Sequence, residues 1–461
     1  MITTIVEQCH IAPSPGAPAH QILKLLHFDI QFLPFPPRTS LFFYNLKSSQ
    51  SHFLNTIVPN FKNSLSLTLK HFPSMAGKIV VPSKSDNISI PISKYVAGQD
   101  FYPLTIAVSK SDFINTMQNH KHFPDLVPEL PPATISDSSE TEFSVAAIQL
   151  TLFPNEGVCV AFSLLHAIGD GPIAANFAHM LSSINRLNGR MDRILDEKDL
   201  PFYERDVIRD GDRIAVESWR YVKTIMRTYK EPLSLAGSSL GTNEVRATFV
   251  LSKEQMQMLK NVVPGRVSSF TVACAHLWTC LARSAAAAGE EVAADDEPKY
   301  LCFGADCRGR LDPPLPNAYF GNCLAFVVAE SSNKRLRGRD GLLAAVKAIK
   351  EAVQTAVGSQ NEIMSSSLES FKQFTKRVGK KKMHLVAGSP SMDLYSVDFG
   401  WGRPIHIGDV HDRLGVSFLF KSRESEGGLE FGMSMEKVKM DKFAGFFYEG
   451  LAAMDKLRCK I

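Results

Sequence analysis

The alternation of apolar and polar positions predicts strands and helices interleaved along the whole chain. His27–Ile30 and Ser40–Tyr44 are apolar and aromatic, read as strands, and are separated by Pro34, Pro36 and Pro37. From Ser51 to His71 the apolar positions Phe53, Leu54, Ile57, Val58, Phe61, Leu65 and Leu69 recur at helical spacing. Phe143–Leu152 and 157–165 read as a strand pair turning at Pro154-Asn155-Glu156-Gly157. A helix opening on Pro172 follows directly. Further on the pattern predicts strands at 245–251, 300–306, 323–329, 393–398, 415–420 and 428–435. Helices are predicted near 213–229 and at 253–261, 269–284, 340–356 and 439–456. Strands and helices mix in both halves, which predicts an α/β chain of two similar-sized domains.

Between them, 186–244 changes character. It carries Arg190, Asp192, Arg193, Asp196, Glu197, Lys198 and Asp199, and later Gly237, Ser238, Ser239 and Gly241. We read 1–185 as an N-terminal domain, 186–244 as a long crossover connection and 245–461 as a C-terminal domain. The 285–297 loop, alanine-rich and then acidic, reads as mobile.

Composition narrows the function. The 461 residues are 44% hydrophobic and 21% charged, as in an ordinary globular protein. A net charge of +4 over this length argues against a nucleic-acid binder. No apolar core follows a basic start, so no secretory signal is read. No apolar run reaches the roughly 18 residues of a membrane span. The eight cysteines lack CxxC spacing and mostly sit in apolar runs, which suits buried reduced thiols rather than a disulfide frame or zinc site. These observations point to a cytoplasmic protein without a bound metal.

The candidate chemistry centres on Leu164-Leu165-His166-Ala167-Ile168-Gly169-Asp170-Gly171. His166 falls where a strand ends and a helix is about to begin. A histidine there can exchange a proton near neutral pH, although a structural histidine beside a turn aspartate reads as well. Asp398-Phe399-Gly400-Trp401-Gly402 closes another predicted strand and reads as a tight turn. Ala305-Asp306-Cys307-Arg308 places an arginine at a strand end, where it either meets a buried carboxylate or lies on the surface. Gly237-Ser238-Ser239-Leu240-Gly241 matches the serine-hydrolase elbow G-x-S-x-G but precedes a strand instead of following one, which argues against Ser239 as a nucleophile. Lys380-Lys381-Lys382 reads as a solvated face.

His166 to Asp170 forms an HxxxD motif, and Asp398 to Gly402 reads DFGWG, 228 positions after Asp170. In this order and spacing the chain resembles the BAHD family of plant acyl-CoA-dependent acyltransferases along essentially its whole length. Tyr319-Phe320-Gly321-Asn322-Cys323 resembles the signature of the branch acting on anthocyanins and phenolic glucosides. Leu200–Ile208 is similar to a segment of the same branch.

The resemblance implies two chloramphenicol-acetyltransferase-like domains with mixed β-sheets, the second carrying YFGNC and DFGWG. It implies an O-acyltransferase with acyl-CoA as co-substrate, no permanently bound cofactor and no metal. His166 would be general base, with Asp170 and Asp398 as the other residues assigned to the catalytic motifs. Asp170 would turn from substrate and bind Arg308. Asp398 reads as mainly structural. Ser268, Ser269 and Thr271 open a helix suited to phosphate or pantetheine oxygens, with Trp401 bordering the same side. Malonyl is the favoured acyl group. No cation follows Asp170 in Gly171-Pro172-Ile173-Ala174, so Arg423 is the candidate for the acyl carboxylate. An acetyl or hydroxycinnamoyl donor with an alkaloid or terpenoid alcohol is the alternative, and a non-catalytic two-domain binding protein is the rival from another class. The expected partners are a small-molecule acceptor alcohol and acyl-CoA, with no nucleic acid, no membrane and a monomeric chain.

Overall fold

The computed structural model describes residues 3–82, 89–118, 120–190, 197–228, 243–289, 296–359, 362–377, 383–408 and 415–458. The chain forms two compact units, one made of 1–233, 311–323 and 394–411, the other of the remaining segments.

The first unit holds a six-stranded mixed sheet in the order Thr3–Ile11, Tyr102–Ser109, Ala146–Phe153, Gly157–Leu164, Arg38–Tyr44, His406–Gly408. Ala146–Phe153 and Gly157–Leu164 form the expected antiparallel pair, and every residue of Ala146–Phe153 is buried. Burial on both faces explains its near-continuous apolar run. A five-stranded sheet of His20–Lys24, Ile92–Val96, Lys78–Val81, Thr141–Ser144 and Thr134–Ile135 lies in the same unit. Helix Gly171–Arg186 follows the central strand pair and buries Ile173, Phe177, Leu181 and Ile184 at helical spacing.

The second unit holds a six-stranded mixed sheet in the order Glu244–Leu251, Leu429–Glu436, Val416–Lys421, Met383–Gly388, Pro298–Asp306, Leu324–Ser332. Helix Ser269–Ala287 runs through its core, with Val272 to Cys280 buried without a break. It packs between helices Gly341–Val357 and Lys437–Arg458.

Several expectations change. His27–Ile30 is one turn of helix rather than a strand, because the Asp29 carboxylate accepts the Leu26 N–H at 3.1 Å and caps it. Residues 394–396 form a 3₁₀ turn where a strand was expected, and helix Ile363–Thr375 and strands Met383–Gly388 and His406–Gly408 were not anticipated.

The division into 1–185, 186–244 and 245–461 also differs from the structure. Helix Gly211–Thr228 belongs to the first unit, where Ser218 Oγ lies 3.0 Å from His27 Nδ1. YFGNC joins the same unit, as the Phe202 N–H donates to the Ala318 carbonyl and the Phe320 N–H donates to the Phe202 carbonyl. DFGWG joins it too, because the following strand His406–Gly408 extends the first sheet beside Arg38–Tyr44. Long-range backbone pairing, rather than chain order, sets the boundaries. The G-x-S-x-G segment and the lysine triplet lie outside the described residues.

Candidate active site

Arg38 and Leu164 are paired residues at the ends of two adjacent antiparallel strands. Two positions beyond Leu164 the chain turns into a single 3₁₀ turn, His166–Ile168, before helix Gly171–Arg186. The sheet therefore delivers His166 and Arg38 to one place. Phe32 stacks on the imidazole with ring centroids 3.7 Å apart and planes 7° apart.

Both ring nitrogens have partners. Nδ1 lies 3.0 Å from Asn322 Oδ1, and Nε2 lies 3.2 Å from Arg38 Nη1. The orientation of Asn322 follows from its own contacts. Its Nδ2 donates to the His166 carbonyl at 2.9 Å and to Asp29 Oδ1 at 3.1 Å, both of which only accept. Asn322 Oδ1 must then accept from His166 Nδ1–H. This assigns the tautomer with its lone pair on Nε2.

Asp29 is itself held. It accepts the Asn322 backbone N–H at 2.8 Å and lies 3.5 Å from the Arg205 guanidinium, which also donates to Tyr319 Oη. Gly321 has φ +134°, and a Cβ there would run into Arg205. Glycine is favoured at this point in YFGNC because few L side chains adopt this φ, and the Arg205 guanidinium occupies the space beside it. Burial, followed by the positive charge of Arg38, lowers the His166 pKa to about 3. The imidazole is neutral at pH 7.

Asp170 is 1% exposed and occupies the N-cap position of the following helix without capping it. Its Oδ2 instead accepts the backbone N–H of Cys323 at 3.0 Å. HxxxD and YFGNC are thus tied at both ends, His166 to Asn322 and Asp170 to Cys323.

Asp398 is not brought to this site. Its Oδ1 accepts the Gly400 N–H at 2.8 Å, and Asn185 donates to the Phe399 carbonyl at 2.7 Å. Gly400, at φ +91°, packs against Arg186, the last residue of the helix that starts five positions after His166. That helix has 16 residues, about 24 Å at 1.5 Å each. Asp398 is therefore a turn residue beside the end of that helix remote from His166, in line with its reading as mainly structural. Trp401 stacks on Phe399 and meets Tyr44 edge-on at 5.5 Å.

The remaining candidates lie in the second unit. Arg308 is 2% exposed and donates from its backbone N–H and Nη1 to Asp306 Oδ1 at 3.0 and 3.3 Å. Ser268 caps helix Ser269–Ala287 by accepting the Thr271 N–H at 3.0 Å, and Lys260 Nζ donates to Ser269 Oγ at 2.8 Å. Arg423 is exposed beyond Val416–Lys421, its backbone N–H directed at Glu430 from 3.5 Å.

Sequence reasoning found His166 and Asp170 and missed Phe32, Asp29, Arg38 and a role for Asn322. Asn322 was visible inside YFGNC. The other three carry no local signal: strand pairing brings Arg38 to His166, while the helical turn His27–Ile30 and the residues after it bring Asp29 to Asn322 and Phe32 to the imidazole.

Residues 1–449 match the model of the Transferase family. The chain is 35% identical to malonyl-coenzyme:anthocyanin 5-O-glucoside-6'''-O-malonyltransferase of Salvia splendens, covering 98% of this chain and 96% of the relative. It is 36% identical to phenolic glucoside malonyltransferase 1 of Nicotiana tabacum, over 98% of this chain and all of that one. A coumaroyl-CoA:anthocyanidin 3-O-glucoside-6''-O-coumaroyltransferase of Arabidopsis thaliana is 32% identical over 97% of each chain. Among solved structures, vinorine synthase superposes with a TM-score of 0.67 at 18% identity, covering 96% of each chain. F. graminearum TRI101 with coenzyme A and deoxynivalenol has a TM-score of 0.65 at 15% identity, covering 92% of this chain and 96% of that one. These two likenesses concern the fold, an α/β architecture with mixed sheets. The match over nearly the full length, with His166 held at the end of a central strand, establishes that the chain is an acyl-CoA-dependent acyltransferase of the BAHD family.

Proposed function

We propose that this enzyme transfers a malonyl group from malonyl-CoA to a hydroxyl of a phenolic or anthocyanin glucoside, with His166 Nε2 as general base. The observation that carries the mechanism is the pairing of His166 Nδ1–H with Asn322, which leaves the lone pair on Nε2. The names of the malonyltransferases at 35% and 36% identity support the donor and the acceptor class.

The acceptor hydroxyl oxygen attacks the thioester carbonyl carbon while its proton passes to Nε2. A tetrahedral oxyanion forms. Its collapse restores the carbonyl and breaks the C–S bond. The imidazolium returns the proton to the departing thiolate, so no charge accumulates over the cycle.

Other assignments belong to the same proposal. Ser268, Ser269 and Thr271 at a helix N-terminus, with Lys260 beside them, suit the phosphates or pantetheine oxygens of CoA. Trp401 borders the acyl-CoA side. The enzyme works as a monomer in the cytoplasm. Among the described residues no helix is long and apolar enough to cross a membrane.

The test is turnover with malonyl-, acetyl- and coumaroyl-CoA against a panel of phenolic glucosides, read as free thiol and as product mass. His166→Ala should lower kcat by roughly 100-fold or more while acyl-CoA still binds. A wild type preferring coumaroyl-CoA would overturn the donor, and near-normal turnover by His166→Ala would overturn the base.

A further inference from the structure

We propose that Arg38 is the residue that recognises a carboxylated acyl donor, and that the donor's carboxylate draws its guanidinium off the catalytic nitrogen as it binds. The inference rests on the malonyl reading above and adds which residue selects the donor and how selection is coupled to the base.

The observation is where the arginine sits. Arg38 Nη1 lies 3.2 Å from His166 Nε2, the nitrogen left with the lone pair by the Asn322 contact. Arg38 is fixed at the first position of a strand and paired with Leu164, so its backbone is part of the sheet that carries His166. An arginine in this position opposes the reaction in two ways. It occupies the lone pair that must accept the hydroxyl proton. It also places a permanent cation beside an imidazole that must become a cation during turnover. The low pKa of His166, caused first by burial and then by Arg38, expresses the same conflict.

A malonyl thioester resolves both effects. Its carbonyl carbon must approach the acceptor oxygen next to Nε2, and its free carboxylate lies one methylene beyond that carbon. That places an anion within reach of the Arg38 fork, which binds carboxylates bidentately. The guanidinium then leaves Nε2 for the carboxylate, and its charge is neutralised as the imidazolium forms. Acetyl-CoA brings the same thioester without the anion and leaves Arg38 on the base. Arg423, the cation expected from the sequence, is an exposed residue of the second unit.

The test measures kcat/KM for malonyl-CoA and acetyl-CoA with one glucoside acceptor, on wild type, Arg38→Gln, Arg38→Lys and Arg423→Gln. The malonyl-to-acetyl ratio should fall about 10- to 100-fold in Arg38→Gln, with acetyl-CoA use rising as the base is uncovered. Arg38→Lys should fall between, since it keeps the charge and loses the fork. An unchanged ratio in Arg38→Gln overturns the proposal, as does a fall in the ratio confined to Arg423→Gln. If Arg38→Gln turns over neither donor, Arg38→Lys decides: a ratio equal to wild type overturns the proposal and a reduced one supports it. Failure of the malonyl reading shows separately, as absent malonyl turnover by the wild type.

Discussion

Asn322 holds His166 from two sides, its Oδ1 accepting a hydrogen bond from Nδ1–H and its Nδ2 donating to the His166 carbonyl at 2.9 Å. Without it Nδ1–H loses its acceptor and the ring loses the contact that fixes its orientation, although Arg38 beside Nε2 still disfavours a proton there. A misaligned base, with the substrate site intact, is a loss of rate rather than of binding. Asn322→Ala should therefore lower kcat by about 10- to 100-fold, part of the 10²–10⁴ that a positioned base contributes, and leave the KM for acyl-CoA near wild type. A paired kcat and KM determination checks this. A rise in KM with kcat unchanged would make Asn322 a binding residue. Asp29 supports Asn322 in turn through 2.8 and 3.1 Å hydrogen bonds, and is buried at 1% exposure with Arg205 beside it. Buried polar groups arranged in such a chain cost little only while every member is paired.

At the scale of elements, one helix separates two motifs that look equivalent in the sequence. Gly171–Arg186 begins beside the HxxxD turn and ends against Gly400 of DFGWG. The aspartate of the second motif caps its own turn, through the Gly400 N–H at 2.8 Å. Gly400 has φ +91°, and a Cβ there would come within 3.3 Å of the Arg186 Cα. Asp398→Ala and Gly400→Ala should accordingly lower the melting temperature, each by the equivalent of about 1–3 kcal/mol. The folded protein that remains should turn over with wild-type kcat. Thermal melts paired with kcat at low temperature distinguish the cases: an Asp398→Ala protein with unchanged Tm and lost kcat would return Asp398 to the chemistry.

At the scale of the whole molecule, burial sets the state of the cysteines and of several histidines. Among the described residues Cys159, Cys274, Cys280, Cys302, Cys307 and Cys323 are buried and form no disulfide. His166, His276 and His384 are all depressed by burial, to about 3, 4 and 3 respectively. An unfolded histidine titrates near 6.5. Between about pH 4 and 6.5 the unfolded chain therefore binds protons that the native protein does not. Stability from these groups is fully present above pH 6.5 and is lost as pH falls toward their native values. The melting temperature should be level from pH 8 to 7 and drop progressively from 6.5 to 4. A melting temperature that rises as pH falls through that window would contradict the burial of these imidazoles.

The sequence by itself determined the α/β class, most helices and strands, and the place of His166. Those features are written in local periodicity and in residues close together in the chain: a run of buried strand residues, a turn and then an amphipathic helix announce themselves wherever they occur. Local chemistry misled where a side chain overrode the pattern, as when the Asp29 carboxylate capped Leu26 and turned an expected strand into a helical turn. The tertiary structure alone decided which unit owns each motif and what stands around the base. YFGNC and DFGWG are late in the chain and yet belong to the unit that starts at the N-terminus, because backbone pairing carries them there. Arg38 meets His166 across 128 residues of sequence because their strands are neighbours in register. Periodicity records which face of an element is buried, and it holds no record of which other element covers that face.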